Sequence, residues 1–191
     1  PQLRARVRSV VSAFGPTYYR DVVAQDRPPD DLWRALARAG LLGIHAPVAQ
    51  GGGGGGLTDF SVVVEESAAA GCPLPALVLS AITIPLLAHA GSPRQQGEWL
   101  GPLARGERKM CFAITESEAG SNTHRIRTHA APSTSGWILR GAKVWTTDID
   151  RADAVLVVAR TETRESGEGT SLSLFIVPTG APGLSFRPIP T

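Results

Sequence analysis

Two short segments carry residue types from which chemistry can be built. The first is Cys111-Phe112-Ala113-Ile114-Thr115-Glu116-Ser117-Glu118-Ala119-Gly120-Ser121-Asn122. It reads as an apolar strand that delivers Thr115 at its end, then a short acidic turn into Gly120-Ser121. Backbone N–H groups and hydroxyls at such a turn can cradle a phosphate or hydrogen-bond the edge of a polar ring. The second is Gly141-Ala142-Lys143-Val144-Trp145-Thr146-Thr147, which reads as a tryptophan and neighbouring hydroxyls on one strand. A tryptophan can pack on a flat aromatic group while a threonine hydroxyl meets its heteroatoms. The residues alone leave two readings open: a planar-ligand site, or an ordinary sheet edge with a core tryptophan.

Other candidates carry less. The hexaglycine at 51–56 satisfies the GxGxxG pattern trivially. A dinucleotide site would also need an acidic residue about 20 positions later at a strand end, and Glu65 and Glu66 fall too early, inside an expected helix. A flexible helix-to-helix loop is therefore expected. His124 and His129 do not share a helix face or a common metal spacing, and His45 and His89 stand alone, so surface or loop histidines and no metal site are expected. Glu107, Glu116 and Glu118 read as solvated loop carboxylates. Cys72 and Cys111 make neither a disulfide framework nor a four-ligand zinc site, which favours a reducing, cytoplasmic setting.

The elements that must position these groups change character near residue 108. Before it the pattern is helical. Leu3, Val7, Val10, Val11 and Phe14 mark one face of an amphipathic helix, and a second, capped by Asp30 or Asp31, carries Leu32, Trp33, Leu36 and Ala37 up to Gly40. A third runs from about Thr58 to Ala70, capped by Thr58 or Asp59, with Phe60, Val63 and Val64 inward. The nearly all-apolar 76–90 reads as a helix at the centre of a bundle. Ser92-Pro93-Arg94-Gln95 is a capping box that starts a helix with Trp99 and Leu100. After Gly106 come strand signals at 109–115, 152–161 and 171–177, and a hairpin-like alternation of 137–139 and 144–146 around Arg140-Gly141-Ala142-Lys143. A polar linker at 162–170 reads as a mobile loop.

Composition narrows the function classes. Nineteen Lys and Arg against seventeen Asp and Glu leave a net charge of +2 in 191 residues, with no basic stripe, so nucleic-acid binding is not expected. The basic residues 1–8 lack the apolar core of a secretion signal. Residues 67–93 hold no Asp, Glu, Lys or Arg, but Gly71, Pro73, Pro75 and Pro85 interrupt them, so no membrane span is expected.

The two chemical segments resemble the acyl-CoA dehydrogenase family. In that family a strand reading aromatic-Ala-hydrophobic-Thr-Glu-Pro-x-Ala-Gly-Ser-Asp is followed by Gly-x-Lys-x-Trp-hydrophobic-Thr. The resemblance extends to Arg127-Thr128-His129-Ala130, Ala152-Asp153-Ala154, Ala159-Arg160-Thr161 and the run from Leu32-Trp33-Arg34 to Ala39-Gly40-Leu41-Leu42-Gly43, in the same order along nearly the whole chain. Ser117 stands where the family has Pro, Asn122 where it has Asp, and the glycine turn at 51–56 is longer.

The resemblance implies an α+β fold: an N-terminal all-α helical bundle domain over 1–107, then an incomplete antiparallel β-barrel-like domain over 108–191, with the family's C-terminal four-helix bundle absent. It implies FAD-dependent oxidation of an acyl thioester to the trans-2-enoyl form. The backbone from Phe112 to Ser121 would line FAD, with Ile114 and Thr115 at the isoalloxazine and Gly120 at the turn. Ser121 would reach the pyrophosphate side and the substrate's pantetheine. Trp145 would pack against the flavin, with Thr146 beside it and Thr147 donating to the N5 edge. The implied partners are an acyl-CoA or acyl-carrier-protein thioester, an electron-transfer flavoprotein or similar acceptor, and further copies in a dimer or tetramer. No glutamate here matches the family's catalytic base, so no catalytic residue is assigned. Three alternatives remain: a flavin monooxygenase or oxidase of the same fold, a non-catalytic half-subunit completed by a partner chain, and a generic binding module.

Overall fold

In the computed structural model, which describes residues 1–134, 136–161 and 171–189, the first apolar stripe is divided between two helices. α1 (Gln2–Val11) stops after Val11, and α2 (Gly15–Ala24) follows. Gly15 makes the turn at a φ of 78°, a conformation open to glycine, and Pro16 starts the new helix. α2 has no counterpart in the sequence expectations because it buries only Val22 and so shows no periodic stripe. α3 (Asp30–Arg38), α4 (Leu57–Ala69), α5 (Pro75–Ala90) and α6 (Pro93–Ala104) complete a unit that spans Pro1–Lys109. Val7 and Val11, Leu32 and Leu36, Phe60 and Val63, and Leu77 bring α1, α3, α4 and α5 onto one core.

Three helix details differ from expectation. Asp30 and Asp31 do not cap α3: Pro29 holds the cap position, and both carboxylates lie inside the first turn, where the helix dipole favours them. Asp30 there accepts from Lys109 Nζ at 3.0 Å. Gly56, not Thr58 or Asp59, is the cap of α4, and its N–H donates to Asp59 Oδ2 at 2.9 Å. α5 is not enclosed on all sides: Leu77, Ile84 and Leu87 are buried while Val78 is 52% exposed. The capping box at Ser92 is as expected, with Ser92 N–H donating to Gln95 Oε1 at 2.8 Å and Gln95 N–H to Ser92 Oγ at 3.3 Å. α1 and α4 are also joined by charge. The buried Glu66 carboxylate accepts from Arg4 and from Arg8, whose Nε lies 2.6 Å away, and Arg8 first, then Arg4, hold its pKa below the usual range.

The hexaglycine is a tied loop. Gly51 N–H donates to Val48 O (2.9 Å), Gly52 to Pro47 O (3.0 Å), Gly53 to Gly43 O (2.9 Å), Gly54 to Ala46 O (2.9 Å) and Gly55 to Ile44 O (2.8 Å). With Gly56 committed to Asp59, no amide is left to cradle a phosphate. The strand 41–46 that a dinucleotide site would need is replaced by turns.

The second unit, Met110–Thr191, holds β1 (Met110–Ala113), β2 (His129–Ser133), β3 (Gly136–Arg140), β4 (Ala154–Thr161) and β5 (Ser171–Pro178) in one sheet. The α+β class is as expected, but the sheet is mixed. β2·β3 and β4·β5 are antiparallel, whereas β1 and β2 run parallel to β4. β5 occupies one edge of β4 along all eight residues, while β1 and then β2 share the other. β4 is accordingly buried almost throughout, as a strand with neighbours on both edges should be. The hairpin also differs: β3 pairs with β2, from His129↔Arg140 to Ser133↔Gly136, and 144–146 is not a strand. The polar linker expected at 162–170 lies outside the described residues. No helix among the described residues is long and apolar enough to cross a membrane.

A methyl group added at Gly52 would sit 2.2 Å from the Ala46 carbonyl oxygen, whereas one at Gly56 would meet nothing within 4 Å. Thermal or denaturant unfolding should therefore show Gly52→Ala less stable by about 1–3 kcal/mol, with Gly56→Ala within about 0.5 kcal/mol of the parent. Equal effects at the two positions would show that the loop does not depend on this close approach.

Candidate functional site

β1 delivers the first motif. The half-buried Phe112 and Ile114 pack against the buried cluster of Ala119, Ile126 and Val158, so their side chains serve the core. Beyond Ala113 the chain leaves the ladder. Val144 N–H donates to Thr115 O at 2.9 Å, which lays the second motif beside the end of the first. Glu116 and Ala119 then exchange both backbone hydrogen bonds, at 3.0 and 3.1 Å, around exposed Ser117 and Glu118. Gly120 and Ser121 emerge exposed on the far side of this turn.

Glu116 is not a solvated loop carboxylate but the buried hub of the unit, 7% exposed. Its Oε2 accepts from Arg127 N–H at 2.6 Å. Its Oε1 accepts from Thr128 N–H at 2.9 Å, Thr128 Oγ1 at 2.5 Å and Lys143 Nζ at 2.8 Å. Burial pushes its pKa up, but Lys143, the Thr128 hydroxyl and the two amides outweigh that and bring it down to about 2. Lys143 also donates to Ile114 O at 3.0 Å. The approach requires glycine at 141, where φ is 154° and a Cβ would lie 2.4 Å from Thr128 Oγ1. Motif searching alone missed these two anchors, although both sit inside the quoted motifs.

Trp145 is not a core residue and not on a strand. It is 69% exposed and has a φ of 59°, an outlier for a bulky side chain that persists only where the surroundings hold it. Asp148, at φ 56°, leads into a 3₁₀ turn, Ile149–Arg151. Between these left-handed residues stand half-buried Thr146 and exposed Thr147. Among the described residues, the hydroxyls of Thr115, Ser121, Thr146 and Thr147 and the Trp145 indole N–H make no side-chain hydrogen bond. The two motifs thus present a broad aromatic face and unspent hydroxyls, while Lys143 and Glu116 are consumed in holding them.

The remaining candidates are structural. His45 is buried rather than on the surface, stacked on Phe60 with centroids 4.0 Å apart and its Nε2 bonded to Ser80 O at 3.0 Å; burial lowers its pKa. His129 lies half-buried on β2, while His89 and His124 are exposed. Among the described residues no group of His, Cys, Asp and Glu could hold a metal ion. Cys72 and Cys111 are buried free thiols, and burial pushes Cys111 up to about 12, which keeps it unreactive.

The family model for the N-terminal domain of acyl-CoA dehydrogenases matches residues 1–107, and that for the middle domain matches 111–191. The chain belongs to the acyl-CoA dehydrogenase family. Among curated relatives of the family, acyl-CoA dehydrogenase FadE12 of Mycobacterium tuberculosis (strain ATCC 25618 / H37Rv) is 44% identical over 188 residues, covering 98% of this chain and 48% of that protein. Among solved structures, glutaryl-CoA dehydrogenase from Mycobacterium smegmatis matches at a TM-score of 0.84 and 30% identity, over 100% of this chain and 48% of that one. A glutaryl-CoA dehydrogenase from Mycobacterium smegmatis in complex with FADH2 matches at 0.79 and 27%, over 96% and 46%. The chain spans about half the length of the curated relatives it matches.

The Glu116 carboxyl titrates at about 2 when folded, against 4.5 for an ordinary glutamate. Its stabilisation is complete above the unfolded value and drains away as pH falls through the folded one, because the unfolded chain takes up the proton first. The full effect is on the order of 3 kcal/mol. Stability measured between pH 5 and pH 2 should therefore fall less steeply for Glu116→Gln than for the parent; parallel slopes would exclude this carboxylate as the source.

Proposed function

We propose that the protein bearing this chain is an FAD-dependent acyl-CoA dehydrogenase that converts an acyl thioester to its trans-2-enoyl form, and that this chain furnishes contacts to the isoalloxazine and the pyrophosphate. The observation that carries the reading is Trp145, an exposed indole on a left-handed backbone, set beside hydroxyls with no partner of their own among the described residues. Family membership and the likeness to a glutaryl-CoA dehydrogenase in complex with FADH2 support it.

FAD, when bound, supplies the acceptor for hydride from the substrate. The residues of this chain bind and orient. Trp145 offers a rigid face for a flat ring, and Thr147, with Thr146 beside it, offers a hydroxyl donor to the N5 edge. Thr115 and the backbone of Phe112, Ile114 and Gly120 line the same ring system, and exposed Ser121 serves the pyrophosphate and pantetheine side. Glu116 cannot shuttle a proton, since its oxygens are filled by Arg127, Thr128 and Lys143. The carboxylate that takes the α proton is proposed to belong to the half of the relatives' length that this chain does not match. The substrate class proposed is acyl-CoA or acyl-carrier-protein thioesters, the acceptor an electron-transfer flavoprotein or similar protein, and the assembly a homo-oligomer.

The full-length protein should purify with flavin that is bleached by acyl-CoA under anaerobic conditions and turns over with an artificial electron acceptor. Thr147→Val should slow that bleaching on the order of a hundredfold, and Trp145→Ala should weaken flavin retention. Turnover that requires oxygen would favour a monooxygenase or oxidase of the same fold instead.

A further inference from the structure

We propose that Lys143 is a positioning residue for the flavin face: its ammonium, locked between the Ile114 carbonyl and the Glu116 carboxylate, holds the 144–147 loop in the shape that presents Trp145. The proposal rests on the reading of that loop as the flavin platform, and adds to it what keeps the platform in place.

A tryptophan at φ 59° needs restraint from its surroundings. Trp145 does not supply that restraint itself, because its side chain is largely exposed and its indole N–H makes no hydrogen bond among the described residues. The restraint therefore lies in the residues on either side. Downstream, Arg151 N–H donates to Asp148 O at 3.1 Å and closes the 3₁₀ turn. Upstream, Lys143 Nζ reaches Ile114 O at 3.0 Å and Glu116 Oε1 at 2.8 Å, and the next residue ties Val144 N–H to Thr115 O at 2.9 Å. Two successive residues of the second motif are thereby bonded to three successive residues of the first.

Lysine suits this position because the surrounding atoms are acceptors and a compact ammonium has donors for more than one of them. Its side chain is 9% exposed, so water does not compete for those bonds. Glu116 also accepts the Arg127 and Thr128 amides, two bonds in which Lys143 takes no part. Removing the ammonium should therefore release the loop while leaving the turn at 116–119 standing.

The test labels the four tryptophans of the chain, Trp33, Trp99, Trp137 and Trp145, with 5-fluorotryptophan in the full-length protein and assigns the Trp145 resonance by Trp145→Phe. In flavin-free Lys143→Met the Trp145 fluorine resonance should shift or broaden while the other three hold their positions, and FAD affinity should fall about tenfold. An unchanged Trp145 resonance with parental FAD affinity would overturn the proposal. So would a joint displacement of all four resonances, which marks general loosening. If Lys143→Met does not fold, Lys143→Gln carries the same readout, since it removes the ammonium and leaves the Glu116 carboxylate both oxygens for the Arg127 and Thr128 donors. If the parent protein takes up no FAD, the flavin reading falls while the fluorine signal still decides the role of Lys143.

Discussion

A carboxylate removed from water must have its oxygens filled, and the second unit is arranged around meeting that demand at Glu116. Its partners come from three places: the amides that lead into β2, the Thr128 hydroxyl, and the ammonium of Lys143. Leaving such a charge unpartnered would cost several kcal/mol, so these segments are not free to drift. Arg160, on β4, reinforces the same bend by donating to the carbonyls of His124 and Ile126, while its N–H bonds Thr128 O at 2.7 Å. The turn of the first motif, the start of β2, the second motif and the central strand are thus one hydrogen-bonded assembly. The exposed Trp145 and the hydroxyls of Ser121 and Thr147 ride on it and contribute little to holding it.

The helical unit meets a similar demand in a looser way. Glu66 receives Arg4 and Arg8 from the neighbouring helix, but both guanidinium groups remain substantially exposed, so solvent shares the work. The hexaglycine loop goes to the opposite extreme and relies on backbone alone, with each amide returned to a nearby carbonyl or, at Gly56, to Asp59.

Much of the fold was legible where a local signal decides the outcome. The box at Ser92, the stripe of Leu32, Trp33 and Leu36, and the apolar runs at β1, β4 and β5 are each written in adjacent residues. Partner choice was not legible, because alternation of side chains reads the same for a strand that runs parallel or antiparallel to its neighbour. Val144-Trp145-Thr146 has the composition of a strand, yet the lock at Lys143 and the left-handed turn at Asp148 force another path. Glu116 looked solvated because its neighbours Ser117 and Glu118 are, and its burial depends on donors 11 to 27 residues away. His45 misled in the same way: its burial comes from Phe60 and Ser80, neither of which is near it in sequence.

The place of β4 in the sheet also orders events in time. β1 and β2 both need β4 beside them in parallel, and the registers join Met110 to Ala154 and His129 to Arg160. On a ribosome, β1 and the hairpin of β2 and β3 emerge before the strand that will unite them, and they wait with open edges until it arrives. Closing such long loops is slow compared with folding a helical unit that is already complete at Lys109. The helical unit can therefore mature first, while the sheet is the interval during which a nascent chain is most exposed to wrong partners and most in need of a chaperone.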